Sequence, residues 1–122
     1  GFKLIFTGEV SKEDLLGWLE ESGKILDDIK NDFCVLVDLR KLKPIKASDL
    51  VDFRNGQKLY REKGMKRSAV VLKGVILTVQ SRDIAKKSNI FSEERYIDAE
   101  INPDWEKTAL DWLRSGIEPN LE

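Results

Sequence analysis

With 122 residues, 41% hydrophobic and 35% charged, the chain has room for one domain with a single core, and this composition excludes a disordered chain. It has no histidine and one cysteine, Cys34, which removes His-assisted hydrolysis, an internal disulfide and a thiol-rich metal site together. The net charge of −1 conceals a segregation. Residues 1–39 carry four basic and nine acidic side chains, residues 40–67 ten and three, and residues 68–122 seven and ten, so a +7 island sits inside an acidic protein.

Taken in chain order, short apolar runs alternate with helix-like segments. Phe2–Thr7 alternates Phe2, Leu4 and Phe6 against Lys3, Ile5 and Thr7, the pattern of a strand with one strongly apolar face. Ser11 with Asp14 three residues on predicts a capping box, and Val10 with Leu15 a hydrophobic staple. Leu15, Trp18, Leu19, Ile25, Leu26 and Ile29 then form the apolar stripe of a helix ending near Lys30. Phe33–Leu39 is a nearly continuous apolar run, expected of a strand covered on both faces, and it places Cys34 in the interior.

Arg40–Lys46 is predicted as a basic loop, since Pro44 bars regular structure there. Ser48 is the expected N-cap of a second helix reaching about Lys63, interrupted at Gly56 and terminated at Gly64. Ser68–Leu72 predicts a third strand. Val75–Ser88 is read as a third helix, with a hairpin turning at Lys73-Gly74 as the alternative. Arg95–Ala99 is a fourth strand, and Asn102 with Pro103 is expected to open a last helix that packs Trp105, Ala109, Trp112 and Leu113 and ends at Gly116. The sum is an α/β domain with a four-stranded, mainly parallel sheet and four helices.

Ala69–Val79, broken by Lys73 and Gly74, is too short to span a bilayer, and no export leader is visible, so a cytoplasmic location is expected. Gly1-Phe2 without an initiator Met suggests either a residue left by cloning or a domain cut from a longer chain.

Three blocks carry a resemblance. LIFTGEVSKEDLLGWL (Leu4–Leu19) resembles the second strand and first helix of the SpoIIAA-like, or STAS/Sec14-type, domain family. FCVLVDL (Phe33–Leu39) resembles its central strand, and ERYIDAEINPDWEKTALDWL (Glu94–Leu113) its closing strand and helix. The resemblance implies one SpoIIAA-like domain over residues 1–122, without the family's first strand, and it supports the helical reading of Val75–Ser88. In the anti-sigma-factor antagonists of that superfamily a phosphorylatable serine opens the helix after the central strand, in an Asp-Ser-Ser-Gly-Leu motif. Ser48 and Leu50 alone keep that pattern in Lys46-Ala47-Ser48-Asp49-Leu50. Ser48 is therefore a phospho-acceptor candidate, with ordinary N-capping the favoured reading.

The acidic doublets Glu20-Glu21, Asp27-Asp28 and Glu93-Glu94 read as solvated positions, and no Walker-type loop is present. No catalytic group, cofactor or metal is expected. A non-enzymatic regulatory module is favoured, in which Arg40, Lys41, Lys43 and Lys46 dock a protein partner with an acidic surface. The alternative is a Sec14-like lipid or amphiphile binder meeting an anionic head group. Nucleic acid fits poorly, because the basic island lacks interleaved aromatics; a homodimer is left open.

Overall fold

The computed structural model describes residues 2–43, 47–74, 78–79, 82, 86 and 93–119, and of residues 47–50 and 53 the backbone only. Four parallel strands lie in the order β1-β2-β3-β4: β1 (Phe2–Gly8), β2 (Phe33–Leu42), β3 (Met65–Leu72) and β4 (Glu94–Asp98). Helices α1 (Lys12–Asp27) and α2 (Ala47–Glu62) make the first two crossovers, and α3 (Trp105–Ser115) follows β4. Sequential parallel neighbours joined by crossovers of one hand place α1 and α2 on the same face.

The period-two alternation sorts the core. Val35, Val37, Leu39, Val70, Leu72 and Tyr96 meet Leu15 and Leu26 of α1 and Tyr60 of α2, with Phe2, Leu4 and Phe6 packed alongside. Leu36, Ala69, Val71 and Ile97 point the other way, onto Ala109, Trp112 and Leu113 of α3. The central strands are therefore apolar on both faces, as near-continuous runs in a covered parallel sheet must be.

The predicted capping box is formed. Ser11 Oγ accepts from the Asp14 N–H at 3.1 Å, and Asp14 Oδ2 accepts from the Ser11 N–H at 2.9 Å. Gly116 closes α3 in the left-handed region, φ 68°, with its N–H on Trp112 O and the next N–H on Asp111 O.

Several features differ from expectation. β2 continues through Arg40 and Lys41 to Leu42, because β1 runs beside it, pairing Thr7 with Lys41 and Gly8 with Leu42. α2 starts at Ala47, so Ser48 has helical backbone inside the first turn rather than the extended backbone of an N-cap. α3 starts at Trp105 behind Asp104, two residues later than the Asn102-Pro103 signal implies. The Asn102 side chain instead accepts from the Asp104 N–H and donates to Thr108 Oγ1, holding the turn that precedes the helix. Finally, three helices stand among the described residues, not the four expected. Most of Val75–Ser88 lies outside the described residues, and within it Thr78, Val79, Arg82 and Lys86 have helical backbone.

Candidate functional site

The basic segment after the central strand lies at the C-terminal end of the sheet, where open parallel sheets place their ligands. The fold treats its cations unequally. Alternation along β2 puts Asp38 and Arg40 on the same face. Asp38 Oδ1 accepts from Arg40 Nε at 2.9 Å and from its backbone N–H at 3.1 Å, while Oδ2 accepts from the terminal nitrogen at 2.9 Å. The guanidinium then lies 4.1 Å from the centroid of the Trp105 ring at the start of α3. Asp38 is 5% exposed, and Arg40's hydrogen bonds hold its carboxyl below the ordinary aspartate range. Arg40 itself is shifted upward, chiefly by the Asp38 hydrogen bonds and further by the charges of Asp38 and Glu106.

Arg40 is thus committed to an internal pair, which is at odds with its expected place among free docking cations. Lys41 and Lys43 are exposed, and neither side chain has an ion pair among the described residues. The Lys43 N–H donates to Gly8 O at 3.0 Å, which fixes the backbone from which its side chain projects. Lys46 and the Ser48 side chain lie outside what the structure describes.

Part of the sequence-level island is matched by acids from the flanking thirds. Arg61 pairs with Glu93 at 3.3 Å and Lys63 with Asp27. Arg67 sits over the Trp112 ring and donates to Leu113 O at 3.4 Å. Lys58 and Lys66 are also exposed, on α2 and β3, and Lys41 and Lys43 form an exposed cationic pair at the end of β2.

A second cluster is buried. Glu94, Tyr96 and Asp98 alternate down one face of β4, and the Glu94 side chain is 1% exposed, contrary to the solvated position expected of the Glu93-Glu94 doublet. Its Oε1 accepts from Gln57 Nε2 of α2 and from the Tyr96 hydroxyl at 2.8 Å. Burial pushes the carboxyl up to about 7, helped by the charge of Glu93 and opposed by Tyr96 and Ser68. Burial and then the Glu94 charge push the Tyr96 hydroxyl upward as well. A charged doublet read from sequence carries no sign that one member faces inward; the period-two spacing of Glu94 with Tyr96 is the signal that marks it.

Cys34 is half-buried rather than interior. Its thiol donates to Leu113 O at 3.3 Å, and it lines an open groove of about 620 Å³ between β1 and α3, with Phe2, Phe33, Leu36 and Leu110 as apolar wall. Lys3, Asp32, Glu106 and Arg114 edge that groove with both signs of charge. Among the described residues no group of three His, Cys, Asp or Glu is placed to hold a metal ion, and no helix is long and apolar enough to cross a membrane.

No protein-family model and no curated protein matches the chain significantly. Among solved structures, the chain is similar to that of an uncharacterised protein of the DUF3478 family from Shewanella loihica PV-4, which is described as having a SpoIIAA-like fold. The TM-score is 0.57 at 23% identity, over 91% of this chain and 82% of the other.

Proposed function

We propose that this SpoIIAA-like domain is a non-catalytic interaction module that docks an acidic protein surface through Lys41 and Lys43, with Lys46 extending the same basic segment. The observation that carries the reading is the contrast within one strand end: Arg40 is locked onto Asp38 and Trp105, whereas Lys41 and Lys43 stand exposed beside it. A compact ammonium on a flexible stem suits adaptable contact with carboxylates, and two of them together steer an acidic partner toward the sheet end. Ser48, one residue into α2, lies close in sequence to this surface and is the position at which a phosphate would offset most of its positive charge.

The amphiphile reading is favoured by the groove beside Cys34, which has a ligand-sized volume and apolar walls. The cavity beneath α2, bounded by described residues, gives it no support, since its volume is about 10 Å³, far too small for an acyl chain. Titration of the protein with a glutamate-rich peptide and, separately, with phosphatidylserine-containing vesicles distinguishes the two. Salt-sensitive binding of the peptide supports the docking reading. Vesicle binding without peptide binding would replace it with the amphiphile reading.

A further inference from the structure

Beneath α2, a polar cluster is walled into an otherwise apolar space. The small cavity is bounded by Trp18, Gln57, Tyr60, Ser68 and Glu94, with Val35, Val37 and Met65 completing it. Its volume of about 10 Å³ is close to what a single water needs. Among the described residues, Gln57 and Tyr96 both donate to Oε1 of Glu94. Glu94 Oε2 and Ser68 Oγ are buried and have no partner of good hydrogen-bond geometry among the described residues. Ser68 is the register partner of Glu94 across the β3–β4 ladder, so the two unmatched oxygens belong to neighbouring positions of the sheet.

We propose that Glu94 is a buried proton-binding site that latches α2 to the sheet. In the latched state Oε1 serves as the carbonyl oxygen for Gln57 and Tyr96, and Oε2 carries the proton and donates toward Ser68 or a water in the cavity. Loss of the proton places a negative charge in that apolar space, a costly state because no cation is among the groups that set its protonation: burial, Tyr96, Ser68 and Glu93.

Two of the groups that flank the latch are already engaged. On α2, Tyr60 shares a 2.6 Å hydrogen bond with Ser22 of α1, and Arg61 pairs with Glu93. Arg54 stands one turn before Gln57 on the same helix. From α1 the neighbouring ring is Trp18, and from β4 the neighbours are Tyr96 and Glu93. The strands cannot part to hydrate the charge, because the β3–β4 ladder pins Ser68 and Glu94 together. Among the described residues α2 is held over the cluster by side-chain contacts, so it is the element that yields. A folded pKa raised above the unfolded value means that the contribution is complete at acid pH and is lost as pH rises toward and through about 7.

The test compares the full chain with Glu94→Gln, which keeps the shape and mimics the neutral acid. Between pH 5.5 and 8.5 the wild-type melting temperature should fall by an amount on the order of 10 °C, and that of the variant should change little. Over the same range, α2 amides of the wild type should lose hydrogen-exchange protection relative to β2 and β3, after correction for intrinsic rates. Parallel melting curves for the two proteins, or protection lost evenly over helix and sheet, would overturn the latch. If Glu94→Gln does not fold, the carboxyl carbon resonance of Glu94 in the wild type decides: titration near neutrality supports the proposal, and titration at the ordinary glutamate value overturns it.

Discussion

Trp18 of α1 lies so close to Gly56 of α2 that a β-carbon at position 56 would overlap its ring outright, and the same ring stacks on Tyr60 at 5.7 Å. The glycine that weakens α2 as an isolated helix is what lets the two helices close over the sheet. Gly56→Ala gains about 1 kcal/mol of helix propensity but forces a methyl into filled space. A net loss of about 1–2 kcal/mol in urea unfolding is expected. An unchanged or raised stability would show that the ring moves aside without cost.

The Asp38–Arg40 pair predicts a distinctive acid limb. Asp38's folded pKa lies below its ordinary 3.8, so the pair adds stability above that value, and the contribution is lost as pH falls through the folded pKa. Arg40→Met leaves a nearly buried carboxylate without its partner and removes the stack on Trp105. The expected cost at pH 7 is about 1–2 kcal/mol, allowing for the solvent screening of a guanidinium that is 35% exposed. Denaturant melts from pH 7 down to strongly acid conditions should show the gap between variant and wild type shrinking. A constant gap would mean that packing on Trp105, and not the charge pair, is what Arg40 supplies.

Cys34 should be modified by a small neutral thiol reagent in the native protein, more slowly than a free thiol, because one side of it opens on the groove. Cys34→Ala should cost about 1 kcal/mol, since it removes a partly buried sulfur and its bond to Leu113 O. Labelling only at the rate of global unfolding would show the groove to be closed in solution.

The local signals in the chain carried the elements whose energetics are local. The Ser11–Asp14 box, the alternation of Phe2, Leu4 and Phe6, and the apolar run from Phe33 to Leu39 each depend on neighbours within a turn or a strand, and each is present. Features set by contacts distant in sequence were not legible. Arg40-Lys41-Leu42 reads as loop because it is charged and precedes a proline, yet pairing with Thr7 and Gly8 extends it as strand. Glu94 reads as surface because nothing local shows that Gln57, 37 residues earlier, supplies a donor. Cys34 reads as core because its run is apolar, but β1 carries Lys3 and an Ile5 that is 59% exposed on the face left uncovered beside α3. The basic island was legible as a count and not as a surface, since Arg61 and Lys63 find acids 32 and 36 residues away.

The docking reading is tested most directly by the association rate of a glutamate-rich peptide, measured from low to physiological salt for the wild type and for Lys41→Glu/Lys43→Glu. Attraction between exposed charges raises association rates and is screened by salt, whereas exposed charges contribute little to folding. The wild type should bind several-fold faster at low salt and lose that advantage as salt rises. The double reversal should bind slowly at every salt concentration, with urea stability within about 0.5 kcal/mol of wild type. Equal rates and equal salt slopes for the two proteins would contradict the assignment of Lys41 and Lys43 as the docking surface.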